Sequence, residues 1–458
     1  MKLSELPYHR DSSLLFERVA DQHWSMFIDS GYPRIDTGRY DIIVANPEIT
    51  LETTGENTII TFVSGKELKS QDDPFRLVKQ YLGKHESNLS GLPFCGGAIG
   101  YFAYDLGRRV ENLPELCQQD IDLPDMAIGI YDWVVIVDHH QRRSCLASFC
   151  RFQNTSEKWS DLIELFHQQA PVKERQYQIN SSIQSNMSKE QYTDAFTKIK
   201  NYILEGDCYQ VNLAQRFQTD FNGDCWQVYR DLREFNPAPY ASYINMPQGA
   251  VISSSPERFL KVTGNQVETK PIKGTVHRSK FAYEDKALAG LLLESEKDRA
   301  ENIMIVDLLR NDISKTCQPG SVKVPKLFAL ETYATVHHLV STITGKLSEH
   351  YHALDLLRGC FPGGSITGAP KLRSMEIIEE LEPHRRSIYC GSIAYIGFDG
   401  NMDSNICIRT IIQCDKNLYF YAGGGLTWYS DVNKEYQECF DKAAGIIKLC
   451  QAGRKEVS

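Results

Sequence analysis

Residues 392–425 read "SIAYIGFDGNMDSNICIRTIIQCDKNLYFYAGGG", and the fold class turns on how this run divides. Three runs rich in β-branched and aromatic residues are separated by Asp-Gly-Asn and Asp-Lys-Asn, residues that suit tight hairpins. The spacing predicts a three-stranded antiparallel meander. Working outward, "RFLKVTGNQVET" (258–269) reads as two short strands around a Thr-Gly-Asn turn and leads into "KPIKGT" (270–275). Residues 1–151 are strand-rich as well, in "YDIIVANPEITLETT", "NTIITFVSG" and "AIGIYDWVVIVDHH". Helices lie between these meanders. Ser188 to Gln191 form a capping box before "KEQYTDAFTKIKNYILEG", with Gly206 as the stop. Meanders interleaved with helices predict an α+β chain rather than a doubly wound parallel sheet.

The chain has 458 residues, 42% apolar and 24% charged, as in a globular protein with a large core. A formal charge of −9 without any Lys/Arg block argues against nucleic acid as a partner. The first 22 residues lack the apolar core of a signal peptide, and no apolar run is long enough to cross a bilayer. Thirteen cysteines without C-x-x-C pairs predict reduced thiols in a cytoplasmic protein. Residues 152–187 turn polar and are expected to be a linker with one amphipathic helix, carrying Trp159, Leu162, Leu165 and Phe166 on one face. The expected division is 1–151, the 152–187 linker, and 188–458, with the two regions packed as one unit.

Chemistry concentrates in the last region. In "ESEKDRAENIMIVDLLRND", Glu294, Asp298 and Glu301 are spaced as an acid stripe opposite Ile303, Val306 and Leu309. In "SDVNKEYQECFDKAAGII", Glu435 and Glu438 lie one turn apart, with Lys442 beyond. Separately these are solvated faces with i,i+4 pairs. Facing each other, they supply carboxylates for Mg²⁺. "FPGGSITGAPKLRSMEIIEELEP" runs from a glycine loop into a helix with Pro370 at its first position, an anion-favouring arrangement without the order of a P-loop. Gly423 to Gly425 end a strand, as a bulge or as a surface open to a ligand. Arg409, in a strand, is either paired in the core or a carboxylate fork. His338 heads an apolar strand, and Glu257 follows a serine-rich loop. Lys273, framed by Pro-Ile and Gly-Thr, is a surface charge, an anion clamp or a nucleophile.

"SPERF", "PIKGT", "SEKDRAENIMIVDLLRND", "HHLVSTITG", "PGGSITGAPK", "NICIRT", "YAGGG" and "EYQECFDKA" stand in the order found in the chorismate-utilising enzymes, which this chain resembles over about 188–450. "IDSGYP" and "GAIGYFAYD" are similar to the N-terminal part of the glutamine-dependent branch. The resemblance implies two large antiparallel sheets in a central sandwich flanked by helices. It also implies Mg²⁺ on Glu301 and Glu438, with Glu435 as a further or neighbouring ligand. Tyr389, Arg409, Ser365, Lys442 and the backbone of Gly423 and Gly425 match positions that hold chorismate's carboxylates, and Thr275 lines the same pocket. His338 matches the histidine of anthranilate synthases. Gln210 stands where the isochorismate and salicylate synthases place a lysine base.

Lys273 divides the family further: anthranilate synthases read Pro-Ile-Ala-Gly-Thr, aminodeoxychorismate synthases Pro-Ile-Lys-Gly-Thr. The resemblance therefore implies amination at C4 through a lysine adduct at C2, with Glu257 as general acid/base. Anthranilate synthesis and a catalytically silent chorismate-binding subunit are the alternatives. No Gly-x-Cys-x-Gly elbow is present, so a separate glutaminase subunit is the expected ammonia source. Ser30, Pro239 and Tyr240 resemble the tryptophan pocket of anthranilate synthases, and a vestigial, structural or packing role is expected for them here rather than a regulatory one.

Overall fold

A computed structural model describes residues 1–454 except 36–37, 89, 170–172 and 334–335. In the 392–425 run, Ser392–Gly397 pairs antiparallel with Met402–Asn405 around Gly400, at φ +75°. The next run then departs from a simple meander. It is two strands, Met402–Asn405 and Thr410–Cys414, and they belong to different sheets. Residues 406–409 cross between them. Backbone bonds satisfy the crossing: Ile406 N–H donates to the Glu257 carbonyl at 3.1 Å and Cys407 N–H to that of Gly391 at 2.9 Å. Arg409, expected inside a strand, instead ends the crossing at φ +51°, a left-handed conformation through which no ladder continues.

Among the described residues one sheet has 13 strands and the other 12, and the sandwich implied by the resemblance is present. Both sheets draw on both ends of the chain. Met26–Asp29 pairs with Tyr240–Met246 in the first, and Gly97–Phe102 with Ser392–Gly397 in the second. Side-chain alternation divides the first sheet between two cores. Ile244, Val251 and Ile412 join the core shared with the second sheet, while Tyr243, Ile252 and Ile411 join a core beneath helices. Each such aliphatic side chain contributes roughly 1.5–3 kcal/mol on burial. Strands buried on both faces read as continuous apolar runs, which is why "YDIIVA" and "GAVIS" do not alternate.

The segment expected as a linker is partly built into the first sheet. Helix Trp159–His167 buries Phe166, and Tyr177–Ile179 and Gln184–Ser185 pair with the long strand Gln210–Gly223. Arg175 binds Glu17 at 3.1 Å, Asp21 at 2.8 Å and Asp224 at 2.7 Å. Residues 170–172 lie outside the described residues. The capping box forms as read: Ser188 Oγ accepts from Gln191 N–H, Gln191 caps Ser188 in return, and Gly206 closes helix Lys189–Glu205 at φ +86°.

Three local expectations need correction. Helix Glu296–Ser314 starts afresh, with the Ser295 hydroxyl capping Asp298 N–H, so Glu294 ends the preceding helix Ala282–Glu294 and is not on the stripe. The buried face carries Ile305, Val306, Leu309 and Ile313, whereas Ile303 is exposed. Pro370 is the residue before helix Lys371–Leu381, not its first turn. The serine-rich run is no loop but the end of strand Gly249–Ser255. Among the described residues no helix is long and apolar enough to cross a membrane.

Candidate active site

Lys273 lies on strand Ile272–His277, which pairs with Val336–Lys346. The register runs Ile272↔Val340 and then Thr275↔His338, so Lys273 and Gly274 together oppose one residue, Leu339. This is a β-bulge, a device that re-aims a side chain at the rim of a sheet. Gly274 supplies the necessary φ of +80°, and a Cβ there would lie 2.8 Å from Leu292 Cδ1 and 3.0 Å from Asp298 Cγ. The half-buried Lys273 ammonium donates to the Ser365 carbonyl at 3.3 Å. Desolvation pushes its pKa below the ordinary lysine value, against the pull of Glu301 and Glu257.

Glu257 follows the end of strand Gly249–Ser255 and is only 6% exposed. Its N–H donates to Ser255 Oγ at 3.2 Å, and the chain crossing at Ile406 bonds to its carbonyl. Burial pushes its carboxyl up to about 6, while Lys273, the Ser365 hydroxyl, the Ile272 N–H and Lys442 pull the other way. Glu257, Ser365 and Lys273 are thus brought together. Nothing in the sequence near "SSSPERF" signals that burial, because Ile406 comes from the far crossing.

The two acidic helices do face one another. Lys297 Nζ lies 3.2 Å from Glu435 Oε1 and 3.9 Å from Glu301 Oε1, bridging Glu296–Ser314 to Val432–Ala452. Glu301 Oε1 is buried and makes no hydrogen bond. Ser430 Oγ donates to Glu435 Oε1 at 2.7 Å. Glu438 pairs with Lys442 at 2.7 Å, and Lys442 also donates to the Gly423 carbonyl at 2.9 Å. Gly424 sits over the acids: a Cβ there would be 3.2 Å from Glu435 Oε2 and 3.5 Å from Glu438 Oε1. Among the described residues no three acidic, His or Cys side chains converge into a ready chelate. Lys297 and Ser430 were not singled out from the sequence, although Lys297 stands one turn before Glu301.

Gly423 to Gly425 lie in strand Asn417–Leu426 and run past the end of the neighbouring Thr410–Cys414 ladder, leaving backbone on that side unpaired by it. Arg409 stands at the head of that shorter strand. Among the described residues its guanidinium makes one hydrogen bond, a long one of 3.5 Å to Asn236 Oδ1, and no acid pairs with it. Burial lowers its pKa. An unpaired, half-buried guanidinium is suited to a bidentate carboxylate. Gln210 packs its amide over Gly425, and its Oε1 makes no hydrogen bond.

Thr275 Oγ1 and His338 Nδ1 are 2.8 Å apart. Burial, reinforced by Arg409, pushes His338 down to about 4, so its ring is neutral at pH 7. Tyr389 is buried and stacked on Tyr421 at 5.1 Å rather than on any of these groups. Ser30, Pro239 and Tyr240 do not join Lys273. They line a separate cavity of about 840 Å³ between the sheets, together with Arg258, Lys270 and Glu331.

A sequence profile described as chorismate binding enzyme matches residues 18–448. The chain belongs to that family. The chorismate-binding chain is 48% identical over 436 residues to aminodeoxychorismate synthase component 1 of Escherichia coli (strain K12), covering 94% of each. It is 37% identical over 454 residues to anthranilate synthase component 1 of Acetivibrio thermocellus, covering 95% of this chain and 92% of that one. The structure of anthranilate synthase component I from Streptococcus pneumoniae TIGR4 superposes with a TM-score of 0.81 at 31% identity, covering 90% of this chain and 92% of that one. Relatives with either of the two names thus align with more than nine-tenths of this chain.

Proposed function

We propose that this chain is the component-1 subunit of an aminodeoxychorismate synthase, converting chorismate and ammonia to 4-amino-4-deoxychorismate for para-aminobenzoate and folate. The relative at 48% identity carries that name. The observation that carries the reading is Lys273, turned by a bulge into a site where a buried acid stands beside it.

The Lys273 amine, whose pKa burial lowers, adds in its unprotonated form to C2 of chorismate as the ring double bond shifts and the C4 hydroxyl leaves. Glu257, whose carboxyl burial pushes up to about 6, gives that hydroxyl its proton, so water departs. Ammonia then forms the new bond at C4, the C2–N bond breaks, and the lysine leaves as an amine. Glu257 takes the proton from the incoming nitrogen. The enolpyruvyl group is untouched, and one ammonia has replaced one water. Arg409, Lys442 and the glycine backbone would hold the two carboxylates, with Ser365 between Glu257 and Lys273. Gln210, unlike a lysine, offers water no base. His338, neutral and bonded to Thr275, positions substrate rather than protonating it.

Glu301 and Glu438, with Glu435, fit Mg²⁺: hard oxygen donors, one of them buried without a hydrogen bond. When bound, the ion would offset the charge of the ring carboxylate. Ammonia would come from a separate glutaminase subunit, and the complex would be cytoplasmic. Anthranilate formation is favoured only by His338 and by the likeness of the Ser30–Pro239–Tyr240 cavity to a tryptophan pocket, which we read as structural rather than regulatory. Incubation of the chain with chorismate, Mg²⁺ and ammonium, followed by product identification, decides. The expected product is 4-amino-4-deoxychorismate. Anthranilate with released pyruvate would overturn the reading.

A further inference from the structure

We propose that Lys297 is a resident counter-ion, whose ammonium holds the Glu301 and Glu435 carboxylates together until a divalent cation displaces it. The inference rests on reading Glu301, Glu435 and Glu438 as the cation's ligands. Lys297 Nζ lies within ion-pair distance of both acids, at 3.2 Å from Glu435 and 3.9 Å from Glu301, and these acids come from two different helices. Glu301 Oε1, buried and without a hydrogen bond, has no other cation as near as this ammonium among the described residues. Ser430 fixes Glu435 Oε1 from the other side, and glycine at 424 keeps the space before Glu435 and Glu438 free of a side chain. Among the described residues no three acids converge as a ready chelate.

A divalent ion on the same oxygens would face the ammonium at a few ångströms, where like charges repel strongly even after partial screening. The lysine side chain is 44% exposed on the first turn of its helix, and its flexible four-carbon stem lets it swing into water. Metal-free protein thus keeps its acid site neutralised, and cation binding is weakened by the cost of expelling Lys297. Chorismate's own carboxylates, arriving in the same pocket, give the expelled ammonium and the ion a new partner.

Mn²⁺ binding to the full chain, followed by electron paramagnetic resonance without chorismate, tests this. Lys297→Met, which removes the charge and keeps the stem, is expected to bind Mn²⁺ about tenfold or more tighter than wild type. It should also melt lower without metal and gain more on adding Mg²⁺. Lys297→Arg should stay close to wild type. Adding Glu301→Gln to Lys297→Met should remove the tight binding. Wild-type or weaker Mn²⁺ affinity in Lys297→Met, no binding in either protein, or tight binding that survives Glu301→Gln would each overturn the proposal. Chorismate amination by wild type is measured alongside. Product with unchanged Lys297→Met affinity removes only the counter-ion role, whereas absence of product removes the reaction assigned above.

Discussion

A lysine and a carboxylic acid in one dehydrated site titrate as a pair, and their macroscopic values belong to both. Burial pushes Glu257 up to about 6 and Lys273 down from the ordinary lysine range. The reactive form carries one proton between them. Below about pH 6 both are protonated and no free amine exists; above the lowered lysine value the pair has lost its last proton and with it the acid. The kcat/KM profile is therefore expected to be a bell with its acid limb near 6. In Glu257→Gln that limb should vanish, leaving a single rise towards the lysine's value and a loss on the order of 10²–10⁴-fold at the plateau. An unchanged acid limb would exclude Glu257 from proton transfer. Lys273→Ala is expected to abolish C4 amination, by on the order of 10³-fold or more, or to reroute it to another product. Unchanged product and rate would remove the nucleophile. Of this pair, Lys273 was legible because one letter separates Pro-Ile-Lys-Gly-Thr from Pro-Ile-Ala-Gly-Thr. Glu257 was given its role only through the resemblance, since the burial that raises its pKa depends on a strand crossing far along the chain.

At the level of elements, the bulge rather than the lysine alone makes the site. A regular Ile272–His277 strand would alternate Lys273 with its neighbours, but the extra residue shifts its direction, and only glycine holds φ +80° there without strain. Gly274→Ala is expected to cost about 1–2 kcal/mol from the left-handed backbone, before its contacts with Leu292 and Asp298 are counted. Denaturant unfolding and kcat should both fall, and neither changing would contradict a bulge-based account. The meander illustrates what local pattern reveals. Its turns at Asp399-Gly400 and Asp415-Lys416 were readable from turn chemistry, and so was the capping box at Ser188. That residues 406–409 pass from one sheet to the other was not, because apolar residues suit both sheets. The acid helices were likewise legible singly, while their facing through Lys297 is a tertiary fact.

For the whole molecule, the α+β class followed from strands and helices in the sequence, but the sharing of both sheets did not. Met26–Asp29 beside Tyr240–Met246, and Gly97–Phe102 beside Ser392–Gly397, join distant parts of the chain, and no local periodicity encodes such pairing. A fragment starting at residue 188 would lose the partners of both strands and expose two long apolar edges. It is expected to be insoluble, or to lack cooperative unfolding, when expressed alone. A soluble fragment with its own sharp transition would mean that the region beyond 188 folds independently. The cavity holding Ser30, Pro239 and Tyr240 exists only because the two ends of the chain meet.

The most direct measurement is intact-mass and peptide mass spectrometry of the chain after exposure to chorismate and Mg²⁺ without ammonia. The expected result is a gain equal to chorismate less one water, mapped to Lys273 and discharged when ammonium is added. An unmodified Lys273 in a protein that still forms 4-amino-4-deoxychorismate would contradict it.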